Sequence, residues 1–283
     1  MTRKELFDEC VNALAEQDIP DSHFDVMCIF EDVLAERWAL SDGRKELSPE
    51  KETEIRRMVS LRLEGQPLQY ILGQWEFWSL PLKVGEGVLI PRPDTETLVE
   101  DVLRICRERR LVSPKIADLC SGSGCIALAL KKELPEAEIY ALELSGAALG
   151  YLRQNAALNS ADIKIICGDV LAPETAELLP ELDIVVSNPP YLTAEEMNEL
   201  QKEVRCEPES ALYGGADGLD FYRAMTPIWK KKLGKGGFLC YEFGMGQHDT
   251  IGRIIAGNGF ENLNFSRDGG GIIRTVTAEK TED

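Results

Sequence analysis

Apolar residues recur at helical spacing over residues 3–17, 22–38 and 49–64. Thr2 and Glu5 stand ahead of the first run at the spacing of a capping box. Ser48 and Pro49 open the third run as N-cap and first helical residue, and Gly65 stops it. The three runs predict a small helical bundle over residues 1–73. Over residues 74–92 the pattern changes: aromatic and β-branched residues surround Gly85 and Gly87, which predicts a β-hairpin connector packed by Trp75, Phe77 and Trp78. A helix then starts near Asp94, with acids early and bases late, as the helix dipole favours.

Beyond residue 93 the chain alternates between two periods. "KIADLC", "EIYALEL", "IKIICGD", "LDIVVSN" and "GGFLCYEFG" read as strands. "CIALALKKEL" and "AALGYLRQNAALN" read as helices between them. That alternation predicts a doubly wound α/β fold with a parallel sheet over residues 93–283. The last two strand patterns, "NLNFS" and "GIIRTVTAE", are too close together for a helical crossover, so this pair is expected to be antiparallel. The sheet thus has seven strands, mainly parallel, and its last strand in the chain runs antiparallel.

The totals narrow the function. The 283 residues are 44% hydrophobic and 28% charged, as in a folded globular chain. No stretch reaches the length of a membrane span, and "MTRKELFDEC" has no apolar targeting core, which predicts a cytoplasmic protein. The formal net charge is −18, and residues 1–78 already carry 9 Lys and Arg against 17 Asp and Glu. Neither half is a basic module, which disfavours tight binding to nucleic-acid phosphates. Lys230 to Lys232, the one basic run, is expected to be a solvated helix end. Eight scattered cysteines form no Cys-x-x-Cys pair and are expected to be reduced thiols. With only His23 and His248, a zinc centre or a histidine triad has little to build on, and no metal is expected.

"DLCSGSGCIA" places Gly122 and Gly124 between a strand and a helix, where backbone can approach a ligand and the helix N-terminus can receive negative charge. Glu143 falls 19 residues after Gly124, at the end of the next strand, where an acid can accept hydrogen bonds from ribose hydroxyls. Asp169, at the end of the third strand, can meet an adenine amine. Dinucleotides and S-adenosylmethionine both fit this logic, and a nicotinamide oxidoreductase remains a rival reading.

The fourth strand delivers Asn188, Pro189, Pro190 and Tyr191 to the same carboxyl edge, where open α/β sheets bind ligands. None of the four is an acid, a base or a strong nucleophile. They offer an amide oxygen, carbonyls and a flat ring, a set suited to a planar NH2 group: two acceptors hold its protons while the ring stacks on it. Orienting such a nitrogen toward an electrophile is catalysis by position and electrostatics. A sulfonium methyl group is the natural electrophile.

In this order "DLCSGSG", "ALEL", "GDV" and "SNPPY" resemble the class I S-adenosylmethionine-dependent methyltransferases. "PLQYILGQWEF", "VLIPRPDTE", "EPESALYGGADGLDFYR" and "YEFGMGQ" are similar, more narrowly, to the release-factor glutamine methyltransferases of HemK/PrmC type. The resemblance implies a Rossmann-like sheet, a substrate-recognising helical domain, and methylation of the N5 amide nitrogen of the glutamine in a release factor's Gly-Gly-Gln loop. It implies that the enzyme works as a monomer with S-adenosylmethionine as donor. Carried over by position, Asp118 and Cys120, Ser121, Gly122, Ser123 and Gly124 would line the methionine moiety. Glu143 would hold the ribose, and Asp169 and Val170 would lie by the adenine. Asn188 to Tyr191 would hold the substrate glutamine, Asn188 touching the donor as well, with Pro91, Arg92, Glu207 and the "GGADGL" loop around them. Cys120, Glu143 and Val170 stand where glycine, aspartate and an aromatic are more usual. A glutamine methyltransferase of a ribosomal protein and, at greater distance, a nucleic-acid amino-methyltransferase remain alternatives.

Overall fold

The computed structural model describes residues 1–282. The chain divides into two compact units: Met1–Gln74 with Gln201–Cys206, and Trp75–Leu200 with Glu207 onward. Among the described residues no helix is long and apolar enough to cross a membrane.

The first unit is built on α1 (Arg3–Ala15), α2 (Ser22–Leu34), α3 (Pro49–Leu63) and the short α4 (Leu68–Leu72). Thr2 and Glu5 form both arms of the capping box, and the Ser48 hydroxyl accepts from Lys51 N. Helix α2 stops at Leu34, four residues earlier than its apolar pattern suggests, because Ala35 turns left-handed at φ 54 and ends the ladder. Leu6, Phe7, Leu14, Ile29, Phe30 and Ile55 fill the core, and Trp38 stacks on Phe7 with ring centroids 4.3 Å apart. Burying one such side chain stabilises the fold by about 1.5–3 kcal/mol. Residues 201–206 join this unit through charge, which no apolar pattern announces. Arg62, 4% exposed, donates to Asp25 and to Glu203, each at 2.6 Å.

A hairpin of β1 (Gln74–Phe77), whose first residue ends the first unit, and β2 (Leu80–Lys83) follows. Its turn is Trp78–Ser79, not the Gly85–Gly87 region that the sequence suggests. Both turn residues have positive φ, 52° and 53°, a costly conformation away from glycine. Trp78 is held there by three hydrogen bonds: its N donates to Glu96, its Nε1 to Glu133, and its carbonyl accepts from Lys132. Gly85 and Gly87 serve close packing instead, against Tyr151 and Ala147.

A seven-stranded sheet follows in the order β5-β4-β3-β6-β7-β9-β8. Its strands are β3 (Lys115–Leu119), β4 (Glu138–Glu143), β5 (Lys164–Cys167), β6 (Leu182–Ser187), β7 (Leu233–Glu242), β8 (Glu261–Arg267) and β9 (Ile273–Glu279). Pairings from β5 through β7 are parallel, and β9 pairs antiparallel with both β7 and β8. The central strands are buried on both faces, so their residues alternate between two cores. Ile116, Ile139, Ile184 and Cys240 face α5 (Glu96–Arg109), α6 (Cys125–Glu133) and α7 (Gly146–Leu158). Ala117, Tyr140, Val185 and Tyr241 face α8 (Pro173–Glu177), α10 (Asp220–Lys230) and α11 (His248–Gly257). A short α9 (Ala194–Asn198) follows the loop after β6. Lys230 is more than a solvated helix end: it is partly buried and donates to Asn258 O at 2.7 Å and Gly259 O at 3.1 Å, closing the end of α11. The strand order turns back between β3 and β6, and the crevice at such a point is where a ligand sits in this architecture.

Candidate active site

A cavity of about 290 Å³ opens at the carboxyl ends of β3, β4, β5 and β6. Its floor begins at the loop after β3. Cys120 and Gly122 take positive φ, 58° and 57°, and Gly124 at φ 85 leads into α6. A Cβ at Gly122 would meet nothing within 4 Å, so that backbone faces open cavity; one at Gly124 would overlap Leu152. The two glycines therefore do different things: the first bares backbone to a ligand, the second lets α6 and α7 pack closely.

Asp118 ties this loop together from below. Its carboxylate accepts from Ser121 Oγ at 2.5 Å and Ala127 N at 3.2 Å, while Oδ1 is buried without a partner among the described residues. Burial is the main reason its carboxyl rises to about 7. Glu143, at the end of β4, lines the cavity and accepts from Gly122 N at 2.8 Å, Leu144 N at 2.8 Å and Ser145 N at 2.7 Å. A carboxylate has room for about four such bonds, so Glu143 is fixed in direction and still able to accept. Asp169 bends the chain after β5 by accepting from Leu171 N at 2.8 Å, and Trp229 Nε1 holds the Val170 carbonyl at 3.0 Å. Burial pushes the Cys120 thiol above its ordinary range, with Glu143 adding to it; a protonated thiol is no nucleophile.

The other wall is the loop after β6. Ser187 Oγ donates to Leu119 O at 2.7 Å, locking the ends of β3 and β6 together. Asn188 lines the cavity, and its Nδ2 donates to Thr95 Oγ1 at 3.2 Å. Glu242, at the end of β7, is 1% exposed and lies beside both side chains. The backbone beyond is clamped from two sides. Leu192 exchanges hydrogen bonds with Leu212 and Gly214, while Gln247 Nε2 donates to Tyr191 O at 3.0 Å. Gly214, Gly218 and Gly244 press so closely that a Cβ on any of them would crowd Pro190, Tyr191 or Gln247. Burial pushes the Tyr191 hydroxyl up to about 12, so it stays neutral.

Among the residues singled out in the sequence, Pro91, Arg92, Cys120, Ser121, Gly122, Ser123, Glu143, Asp169, Val170, Asn188 and Pro190 line the cavity. Asp118, Gly124, Pro189, Tyr191 and Glu207 are not among its lining residues: the first three and Glu207 are buried, and Tyr191 is half-buried next to the lining Pro190. Glu207, 6% exposed, accepts from Ile90 N at 3.0 Å and pairs with Arg92, so it holds one rim of the opening.

The sequence matches the family pattern described as "PrmC N-terminal domain" over residues 5–73 and that described as "Methyltransferase small domain" over residues 95–214. A release factor glutamine methyltransferase of Thermodesulfovibrio yellowstonii is 38% identical over 242 residues, covering 84% of this chain and 85% of the relative. One from Moorella thermoacetica is 36% identical over 288 residues and covers all of both chains. The chain belongs to the release factor glutamine methyltransferases. Its sheet is shared more widely: a methyltransferase from Pyrococcus furiosus, 13% identical, superposes with a TM-score of 0.54 over 83% of this chain and 100% of that one.

For this methyltransferase the sequence reading missed Thr95, Glu242, Gln247 and Phe221. Phe221 lines the cavity from the start of α10. Glu242 and Gln247 lie within "YEFGMGQ", and Thr95 within "VLIPRPDTE", so both stretches stood out, but only Pro91 and Arg92 among their residues were given a task. The available signal was a glutamate ending a buried strand at the edge where ligands bind.

Proposed function

We propose that this enzyme transfers a methyl group from S-adenosylmethionine to the N5 amide nitrogen of the glutamine in the Gly-Gly-Gln loop of a peptide chain release factor. The Asn188 amide carries the reading. Its Nδ2 is engaged by Thr95, which leaves Oδ1 as the free acceptor on a side chain that lines the cavity.

The cavity fits the donor by its chemistry. Open space over Gly122 admits a ligand against bare backbone, and the start of α6 favours the negative charge of an amino-acid carboxylate. Glu143 is aimed to accept from ribose hydroxyls. Leu142, Ile126 and Val170 offer an apolar bed for adenine, with Asp169 beside it. Bound there, the donor supplies an electrophilic sulfonium methyl group.

The chain's own residues do the rest. Asn188 Oδ1 and the Pro189 carbonyl accept the two N–H bonds of the incoming amide, and Tyr191 packs against its plane. An amide nitrogen is a poor nucleophile because its lone pair is delocalised. Holding both protons with strong acceptors favours pyramidalisation and aims the lone pair at the methyl carbon. As the N–CH3 bond forms the S–CH3 bond breaks, S-adenosylhomocysteine leaves as a neutral thioether, and one N–H proton is released to solvent. Arg92, pinned by Glu207, borders the entry.

The helical unit is the recognition element for the release factor in this reading. The enzyme acts as a cytoplasmic monomer on a protein partner, without nucleic acid or membrane, and the net charge of −18 supports a non-nucleic-acid target. The test is intact-mass analysis of a purified release factor after incubation with enzyme and S-adenosylmethionine, followed by peptide mapping. A single methyl on the Gly-Gly-Gln glutamine, absent with Asn188→Ala, supports the proposal. Methylation of a ribosomal protein or a nucleic acid in place of the release factor overturns it.

A further inference from the structure

An Asn side chain is useful to an incoming NH2 group in one orientation only. With Oδ1 forward it accepts; flipped, it presents its own NH2 and repels. Thr95 Oγ1, which accepts from Asn188 Nδ2, does not by itself fix that orientation. A hydroxyl both donates and accepts, so Thr95 could equally donate to a flipped Asn188 Oδ1.

The missing constraint is Glu242. It is 1% exposed, its Oε2 has no hydrogen-bond partner among the described residues, and the Thr95 and Asn188 side chains lie beside it. An ionised carboxylate only accepts. It therefore draws the Thr95 O–H toward itself, turns the Thr95 lone pairs to Asn188, and admits only the Nδ2 end of that amide. We propose that Glu242 is a positioning residue that sets the direction of the Thr95 hydroxyl and, through it, holds the Asn188 amide oxygen toward the substrate nitrogen. This rests on the functional reading above and adds to it the device that orients its central side chain. A buried charge is costly, and this one has a task to match.

The device carries its own pH dependence. Burial first of all raises the Glu242 carboxyl to about 7, against the lowering influence of the nearby Thr95 and Asn188 side chains. The charged and titratable groups facing it are Arg274 from β9, which lowers it, and Asp94 from the turn before α5, which raises it. Tyr191, Tyr222 and Cys125 also feel its charge, each held neutral by burial. Once protonated, the carboxyl can itself donate to Thr95, and the polarity of the chain reverses. Turnover therefore falls as pH drops through the Glu242 pKa and is retained above it.

The experiment measures kcat, KM for a purified release factor and donor affinity across pH for the wild type, Glu242→Gln, Thr95→Val and Thr95→Ser. Gln fills the same space but can donate, so E242Q should lose about 100-fold in kcat, the scale of a misplaced catalytic group. KM and donor affinity should hold, and the acid limb of the pH profile should vanish. T95V should lose kcat in the same way, and T95S, which keeps the hydroxyl, should restore it. If E242Q does not fold, as circular dichroism would show, the Thr95 pair decides. Wild-type kcat with an unchanged acid limb in E242Q, or wild-type kcat in T95V, overturns the proposal while methylation itself stands. A wild-type enzyme that leaves the release factor unmethylated overturns the functional reading, and the role of Glu242 with it.

Discussion

Between Asp118 and Gly124 the cavity wall is tied to itself and to the next strand. Ser121 Oγ reaches back to Asp118, Ser121 N reaches Leu142 O, and Gly122 N reaches Glu143, 21 residues on. Between Ser187 and Leu192 the opposite wall is held from far along the chain. Ser187 reaches Leu119 over 68 residues, Asn188 reaches Thr95 over 93, and Gln247 reaches Tyr191 over 56. The first wall is a local device whose job is to expose backbone. The second is an assembled device whose job is to aim one amide. A ligand that only needs to be seated can be met by local geometry, whereas a reacting atom needs orientation imposed from several directions.

This contrast predicts that damage to the two walls separates in the kinetics. The largest effect is expected from Asn188→Ala: kcat should fall by at least about 100-fold, as when a preorganised transition-state contact is removed. Donor binding by calorimetry should persist. A matching loss of donor affinity would show that the two walls are one device.

Gly218→Ala and Gly124→Ala come next. Both glycines sit at positive φ, 73° and 85°, and an added Cβ overlaps Tyr191 O in the first case and Leu152 in the second. Each should cost about 1–3 kcal/mol of stability in denaturant titrations. Among the molecules that fold, G218A should show depressed kcat and G124A weakened donor binding. The reverse assignment would break the division.

Glu143→Ala should weaken donor binding by about tenfold, from lost hydrogen bonds to a charged acceptor, with kcat at saturating donor little changed. The smallest effect belongs to Gln247→Ala. It removes the bonds to Tyr191 O and Gly244 N and should cost about 1 kcal/mol of stability, with a modest fall in kcat.

The same contrast explains what could be read in the sequence. Glycine spacing, the helix start and Glu143 lie within one strand–loop–helix–strand run, so their relation is visible along the chain. The identity of Asn188–Tyr191 was equally visible, because two prolines after an apolar strand are rare punctuation. Its orientation was not. Thr95 and Glu242 are ordinary residue types brought beside Asn188 only when the ends of β6 and β7 and the turn before α5 converge. The hairpin misled for a related reason. Gly85 and Gly87 looked like the turn, yet the turn falls on Trp78 and Ser79, whose positive φ is held by Glu96, Glu133 and Lys132. Segment 201–206 joins the helical unit through the Arg62–Glu203 pair, a contact across 141 residues that no local pattern marks.

The most direct test is the mass of a release factor after incubation with the enzyme and S-adenosylmethionine, beside Asn188→Ala at matched donor occupancy. The account predicts one added methyl, mapped to the Gly-Gly-Gln glutamine, with wild type and none with the variant. An unmodified release factor, or an equally methylated one with Asn188→Ala, would contradict it.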